Sequence, residues 1–147
     1  MTKISNNDLQ KIVLNCIGKP KVAFICVHNA CRSQIAEALG KLFASDVFVS
    51  FSAGTKVTSQ INQDAVRLMK EIYDIDMEAS QHNKLISDIP SPDIVILMGC
   101  NAKCPNLNSQ YTENWELDDP TGKSDVEFKK TIKLIENNIH KLIDKLS

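Results

Sequence analysis

The stretch Lys21-Val22-Ala23-Phe24-Ile25-Cys26-Val27-His28-Asn29-Ala30-Cys31-Arg32-Ser33 decides the reading of this chain. Its first six residues form an apolar run that stops abruptly at polar ones, the pattern of a short buried strand. Ile35, Ala38, Leu39 and Leu42 then recur at helical spacing, which predicts a helix over about 33–44. A tight loop between a strand and a helix turns successive backbone N–H groups inward as an anion nest, and the helix adds its positive N-terminal end. Arg32 brings a planar fork that can grip two oxygens of a phosphate-like ion. Cys26 sits where this positive environment is strongest, which favours a thiolate, and Ser33 can donate a hydrogen bond to it. Cys26 therefore reads as a nucleophile aimed at the central atom of a tetrahedral oxyanion. Val27, His28, Asn29, Ala30, Cys31 and Arg32 would hold that ion. A plain strand-to-helix turn with two buried cysteines would explain the Cys or the Arg alone. It does not explain strand, Cys, five residues, Arg-Ser and helix in that order.

Outward from this stretch, strand and helix alternate. Residues 47–52 read as a second strand closed by Ala53-Gly54. Ala65, Leu68, Met69 and Ile72 mark a helix over about 62–74, and a shorter helix is expected over about 81–88. Pro90 and Pro92 break the chain before residues 93–98, the strongest strand signal, and 112–117 read as a short fourth strand. Phe128, Ile132, Ile135, Ile139, Leu142 and Leu146 predict a long amphipathic helix over 126–146. Leu9, Ile12, Val13 and Cys16 suggest another within residues 1–20, with Cys16 as a small buried hydrophobe. This order predicts an α/β fold in three layers, a four-stranded parallel sheet flanked by helices. Ligands of such folds bind at the carboxyl ends of the strands. Cys26 and Cys31 follow the first strand, and Cys100 and Cys104 follow the strand at 93–98.

The chain has 147 residues, 43% hydrophobic and 24% charged, with a formal net charge of -1. That is one domain's worth of material, enough for a core without disulfide or metal staples. The balanced charge gives no bulk attraction to nucleic acid or an anionic membrane, so any bound anion must be held locally. No apolar run reaches the roughly 18 residues of a membrane span. The first 20 residues lack the apolar block of a signal peptide. A cytoplasmic location follows as the expectation, with a monomer as the expected state. In that reducing setting the five cysteines, Cys16, Cys26, Cys31, Cys100 and Cys104, read as catalytic or metal-binding rather than as disulfides.

The segment Cys26-Val27-His28-Asn29-Ala30-Cys31-Arg32-Ser33-Gln34-Ile35-Ala36-Glu37-Ala38 resembles the signature of the low-molecular-weight tyrosine phosphatase superfamily, which includes the thioredoxin-coupled arsenate reductases. Ser52-Ala53-Gly54 and Asp118-Asp119-Pro120 match at the expected places. The resemblance covers about residues 21–146, and implies a phosphatase-like domain over 21–147 behind an N-terminal helical extension over 1–20. It implies that Cys26 is the nucleophile, Arg32 grips the anion, Ser33 tunes the thiolate and Asn29 holds the strained loop backbone. Asp119, ahead of Asp118, would be the general acid that protonates the leaving oxygen.

The two branches of the superfamily differ in what surrounds the loop. By the resemblance a phosphatase carries aromatics after Asp-Pro and after Ser-Ala-Gly. This chain has Thr121-Gly122-Lys123 and Thr55-Lys56-Val57 there, and Gln34 where the phosphatase branch tends to have Pro. A reductase needs further thiols, and Cys100 and Cys104 are placed to supply them. Met98 stands where the second cysteine of the reductases usually closes the strand, and Cys104-Pro105 matches the third, so Cys100 is assigned as attacker and Cys104 as resolver. An external thiol, thioredoxin or else glutathione with glutaredoxin, would recycle the pair, and no tightly bound cofactor is implied. Glu37, Ser52 and Asn29 occupy positions where some of these reductases bind a potassium ion, and a hydrogen-bonded structural role stands beside that reading. The competing functions are a phosphatase in which Cys31 guards Cys26 against overoxidation, a zinc module built from the four cysteines, and a non-catalytic anion sensor. The cysteine spacings depart from a zinc knuckle, and a sensor has no need of an acid. His28, His82 and His140 are not expected to be catalytic, and Trp115 is expected to pack against the core.

Overall fold

The computed structural model describes residues 6–16, 18–99 and 109–147. In it the apolar run ahead of the loop is strand β1, Lys21–Cys26. Three further strands, β2 at Val49–Gly54, β3 at Ile94–Leu97 and β4 at Tyr111–Asn114, join it in one parallel sheet of order β2-β1-β3-β4. The register sets Cys26 opposite Gly54 and Ile25 opposite Leu97, so three strands end level at one edge. From β1 the chain passes to β2 on one side and then returns across to β3 on the other. That reversal opens a crevice at the carboxyl ends of β1 and β3, where such sheets bind ligands.

The helices are α1 at Asn6–Asn15, α2 at Arg32–Phe43, α3 at Gln63–Tyr73, the single turn α4 at Met77–Ser80, and α5 at Asp125–Leu146. A 3₁₀ turn covers Ile86–Asp88. Strand side chains alternate faces. Val22, Phe24, Cys26, Ile94, Ile96 and Met98 therefore point into the main core with α1, α2, α3 and α5. Ala23, Ile25, Ala53, Val95 and Leu97 form a second cluster against Val27, Ile86 and Ile89. Both faces of β1 are covered, which is why its run is apolar throughout. All six predicted core positions of α5 are buried, and Trp115 packs on Phe24 with ring centroids 5.7 Å apart. Among the described residues no helix is long and apolar enough to cross a membrane.

The structure departs from the expected elements in three places. The short helix expected at 81–88 is absent. Asp76 caps a turn that starts at Met77, accepting from the Glu78 N–H at 3.1 Å, and Gln81 and Leu85 are extended. The segment between them braces the anion loop, a use that a helix would forbid. The fourth strand lies at 111–114, ahead of the expected 112–117, because Glu116 takes a left-handed φ of 53° and ends the pairing. Leu42 and Ile72, placed on the apolar stripes of α2 and α3, are 47% and 43% exposed, since each falls at the end of its helix.

Helix α1 is part of the main core, with Leu9 fully buried and Ile12 nearly so. Leu9→Ala is expected to cost about 2–5 kcal/mol, the usual range for a buried leucine, measured as the drop in urea-unfolding free energy. An unmoved midpoint would mean that α1 is a detachable appendage.

Candidate active site

Every backbone polar group of a tight loop must find a partner or face a ligand. In the loop after β1 four carbonyls, those of Val27, Asn29, Ala30 and Cys31, are taken. Val27 O accepts from Lys56 N at 2.9 Å, Ala30 O from Asn62 N at 2.8 Å and Cys31 O from Ile35 N at 3.0 Å. Asn29 O accepts from Gln34 Nε2 at 3.0 Å and Asn83 Nδ2 at 3.1 Å. No backbone N–H from Val27 to Arg32 makes a hydrogen bond among the described residues. The loop is thus turned with its acceptors outward and its donors free, which is the polarity of an anion nest. Gly54 permits the brace on its flank, because a Cβ there would lie 2.6 Å from Val27 O and 2.9 Å from Asn29 N.

A chain of buried amides fixes the loop from behind. Asn29 is fully buried with φ of 52°, the left-handed region that Asn tolerates better than most residues. Its Oδ1 accepts from Gln34 Nε2 at 2.9 Å and Lys84 N at 2.8 Å, and its Nδ2 donates to Ser33 Oγ at 2.8 Å. Ser33 Oγ lies 2.8 Å from Cys26 Sγ. Having accepted from Asn29, the hydroxyl keeps its own hydrogen for the sulfur. Gln34 is held in turn by Gln81, whose Nε2 donates to Gln34 O at 3.0 Å and Oε1 at 2.8 Å.

The free face of the loop borders a cavity of about 40 Å³ lined by Cys26, Val27, His28, Ala30, Cys31, Arg32, Asp119 and Thr121. Asn29 lies behind that wall. The space suits a few water-sized groups, such as the oxygens of a tetrahedral ion, and among the described residues no Phe, Tyr or Trp lines it. Arg32 is nearly buried. Its Nη1 donates to Leu117 O at 2.6 Å, Met98 O at 2.8 Å and Gly99 O at 3.1 Å. Nε and Nη2 make no hydrogen bond among the described residues, so one nitrogen anchors the side chain and two remain for an anion. Asp119 Oδ1 accepts from Thr121 Oγ1 at 2.7 Å and Thr121 N at 3.0 Å. Asp118 takes no part in the cavity wall.

The two loop cysteines differ electrostatically. Burial, followed by the nearby Asp119 carboxylate and Cys26, pushes the Cys31 thiol far up, so it stays protonated at neutral pH and is a poor nucleophile. For Asp119, partial desolvation works to raise the pKa. The two Thr121 hydrogen bonds and the charge of Arg32 outweigh it and hold the carboxyl below its usual range.

The family model for low molecular weight phosphotyrosine protein phosphatases matches residues 21–147. The chain belongs to this family. Within it the chain is 39% identical to an arsenate reductase of Staphylococcus epidermidis over 116 residues, 76% of this chain and 86% of that protein. An arsenate reductase solved in its phosphate-binding state superposes with a TM-score of 0.77 at 29% identity, covering 87% of this chain and 99% of that one. A thioredoxin-dependent arsenate reductase of Corynebacterium glutamicum gives 0.66 at 29% identity, covering 95% and 68%.

Of the residues singled out from the sequence, the fold brings Cys26, Val27, Ala30, Cys31, Arg32 and Asp119 to one cavity, and Ser33 and Asn29 stand behind it. His28 lines its mouth, while His82 and His140 lie elsewhere on the surface. Cys100 and Cys104 lie outside the described residues, and with them the zinc alternative. Sequence reasoning missed Gln81, Asn83 and Lys84, which carry no motif. They fall within the stretch expected as a short helix over about 81–88, and the one signal against that expectation is a cluster of amide and amine side chains. Gly99, which in sequence reads only as part of a loop able to move, has a φ of 96° that lets it pass Leu117 O and Arg32 Nη1, where a Cβ would fall at 2.3 and 2.9 Å. Gly99→Ala should displace the Arg32 anchor and weaken inorganic phosphate binding by about tenfold or more, roughly 1.4 kcal/mol per decade, as read by calorimetric titration. Thr121→Val removes one of the two donors that depress Asp119. Its carboxyl should then titrate at higher pH than in the wild type by carbon-detected NMR, and an unchanged curve would discount the hydroxyl.

Proposed function

We propose that the chain is a thiol-dependent arsenate reductase whose electrons come from a cysteine relay recycled by thioredoxin in the cytoplasm. The observation that carries this reading is the loop itself. Free backbone donors and Arg32 surround a small cavity lined by Cys26 and Asp119, with no Phe, Tyr or Trp ring among the described residues that line it. The arsenate reductases among its relatives select the ion.

In the proposed sequence the Cys26 thiolate attacks arsenic(V). An As–O bond breaks, Asp119 supplies a proton so that water leaves, and a thiol-arsenate adduct remains. Neutral hydrogen-bonded Ser33 steadies the thiolate before attack, and Arg32 with the loop amides takes up charge on the arsenate oxygens. The thiolate of Cys100 then attacks Sγ of Cys26. The S–S bond forms, the S–As pair passes to arsenic, and arsenite departs as arsenic(III). Cys104 attacks Cys100, releasing the Cys26 thiolate and leaving a Cys100–Cys104 disulfide. A thioredoxin dithiol reduces that disulfide by exchange. The depressed pKa of Asp119 in the free protein fits an acid that gains its proton with the ion, since a bound anion next to the carboxyl favours its protonated form.

The test is arsenate-dependent NADPH oxidation with thioredoxin and thioredoxin reductase. Activity is expected in the wild type and none in Cys26→Ser. Asp119→Asn should lose about 10²–10⁴-fold in kcat/KM, the range for a general acid, with phosphate affinity retained. Cys104→Ser should release one arsenite per enzyme and then stop. Hydrolysis of an aryl phosphate in the absence of any arsenate-dependent oxidation would assign the chain to phosphatase chemistry instead.

A further inference from the structure

Glu37 lies on α2 and is 3% exposed, and both its carboxylate oxygens are engaged. Oε1 accepts from Ser52 Oγ at 2.6 Å and from Lys84 Nζ at 3.2 Å, and Oε2 accepts from Lys41 Nζ at 2.5 Å. The two lysines are not equivalent. The Lys41 side chain is 45% exposed, whereas that of Lys84 is 12% exposed and donates a second bond, to His82 O at 2.8 Å. Covering an ammonium strips its hydration, a cost offset only by a fixed carboxylate and further hydrogen bonds. Lys84 has both.

The family resemblance places a monovalent cation, in some reductases, at the positions of Asn29, Glu37 and Ser52. The donor set here does not fit one. Asn29 Oδ1 already accepts from Gln34 Nε2 and Lys84 N, and the Glu37 oxygen facing Ser52 carries the Lys84 ammonium. A metal ion added at that oxygen would meet a like charge at close range on a carboxylate that is itself buried.

We propose that Lys84 is the resident cation of this site and holds the anion loop in the place of a metal ion. Its two ends reach the two halves of the loop's support. The ammonium ties it to Glu37 on α2 and to His82 O. The backbone N–H holds Asn29 Oδ1, and the backbone carbonyl accepts from Gly54 N at 2.9 Å. Asn29, so held, keeps its left-handed backbone and aims Nδ2 at Ser33, whose hydroxyl meets Cys26 Sγ. Lys84 is thus a positioning residue that acts on Cys26 through Asn29 and Ser33. The inference rests on the reading of the loop as an oxyanion site.

The test compares the wild type, Lys84→Met and Lys84→Arg in potassium, sodium and tetramethylammonium chloride at equal ionic strength. Inorganic phosphate affinity is read by calorimetry and stability by thermal unfolding. Wild-type affinity and Tm should be the same in all three salts. Lys84→Met keeps the stem and the backbone N–H. In tetramethylammonium it should bind phosphate about tenfold more weakly, near 1.4 kcal/mol, and potassium should restore affinity and raise Tm through binding at Glu37 Oε1, the oxygen that Lys84 leaves. Lys84→Arg should stay close to the wild type in every salt. A lysine that merely packs would show no cation-specific rescue. Potassium strengthening the wild type over tetramethylammonium overturns the proposal, as does a Lys84→Met variant that matches the wild type or is weakened equally in all salts. If Lys84→Met is unfolded in tetramethylammonium, recovery of a folding transition in potassium supports the proposal, and its absence there counts against it. Failure of the wild type to bind phosphate in any salt would instead defeat the oxyanion reading, and the Tm comparison would still decide the cation.

Discussion

A loop that binds an anion through its backbone has to satisfy all its acceptors from outside while leaving its donors alone, and most of this structure serves that requirement. Five residues from four segments supply the hydrogen bonds to the loop carbonyls: Lys56 after β2, Asn62 at the cap of α3, Asn83, and Gln34 and Ile35 in the first turn of α2. Gln34 and Ile35 belong to α2, which is packed in the core, and Asn62 caps α3, so the loop inherits part of its rigidity from the helices beneath it. The order matters physically. Hydrogen bonds in a site removed from water strengthen one another, and a single unsatisfied member costs more than any one bond contributes. A preset nest is then ready for charge without reorganisation, which is the condition for electrostatic catalysis.

The parts of this design that depend on local chemistry were legible in the sequence. The run Lys21–Cys26 had to be a strand because it is short, apolar and bounded by polar residues. The helix over about 33–44 was legible from the apolar repeat that begins at Ile35, and it starts at Arg32 in the structure. The six core positions of α5 follow from spacing alone. Asp119 separated from Asp118 only through the family motif, and the structure adds the reason for the distinction: Thr121, two residues on, turns that carboxyl toward the cavity. The braces were not legible. Gln34 and Gln81 are polar residues at nearly inaccessible positions, and no periodicity announces a buried amide whose partner is 47 residues away. The misplaced helix at 81–88 has the same origin. Its residues satisfy neighbours distant in sequence, and tertiary demand overrides local propensity there.

The contrast between the two cysteines of the loop has a similar cause. Cys26 and Cys31 look alike in sequence, both small and both near Arg32. In the fold Cys26 closes β1 beside the Ser33 hydroxyl, whereas Cys31 sits at the start of α2, close to Asp119. A negative neighbour and burial both oppose ionisation of Cys31. The same carboxylate that would serve as acid also keeps the second thiol of the loop quiet, so one group assigns two roles.

Arg32 draws these features together. Its Nη1 holds the carbonyls of Met98 and Gly99 at the end of β3 and of Leu117 just ahead of the Asp118-Asp119-Pro120 turn. The segment carrying Cys100 begins at the first of these points and the acid turn begins at the second. A side chain that served the anion alone would need no such anchor. Fixing one nitrogen to three carbonyls costs the guanidinium its freedom but sets the direction of the remaining two, and a planar fork loses little in being set. Any shift of Arg32 toward or away from a bound ion must therefore move, or be resisted by, the starting points of both the acid turn and the cysteine segment. In the proposed relay the ion has to be protonated from one of those segments and reduced from the other. The residue proposed to grip the ion also anchors Gly99 and Leu117, the described residues that lead into both.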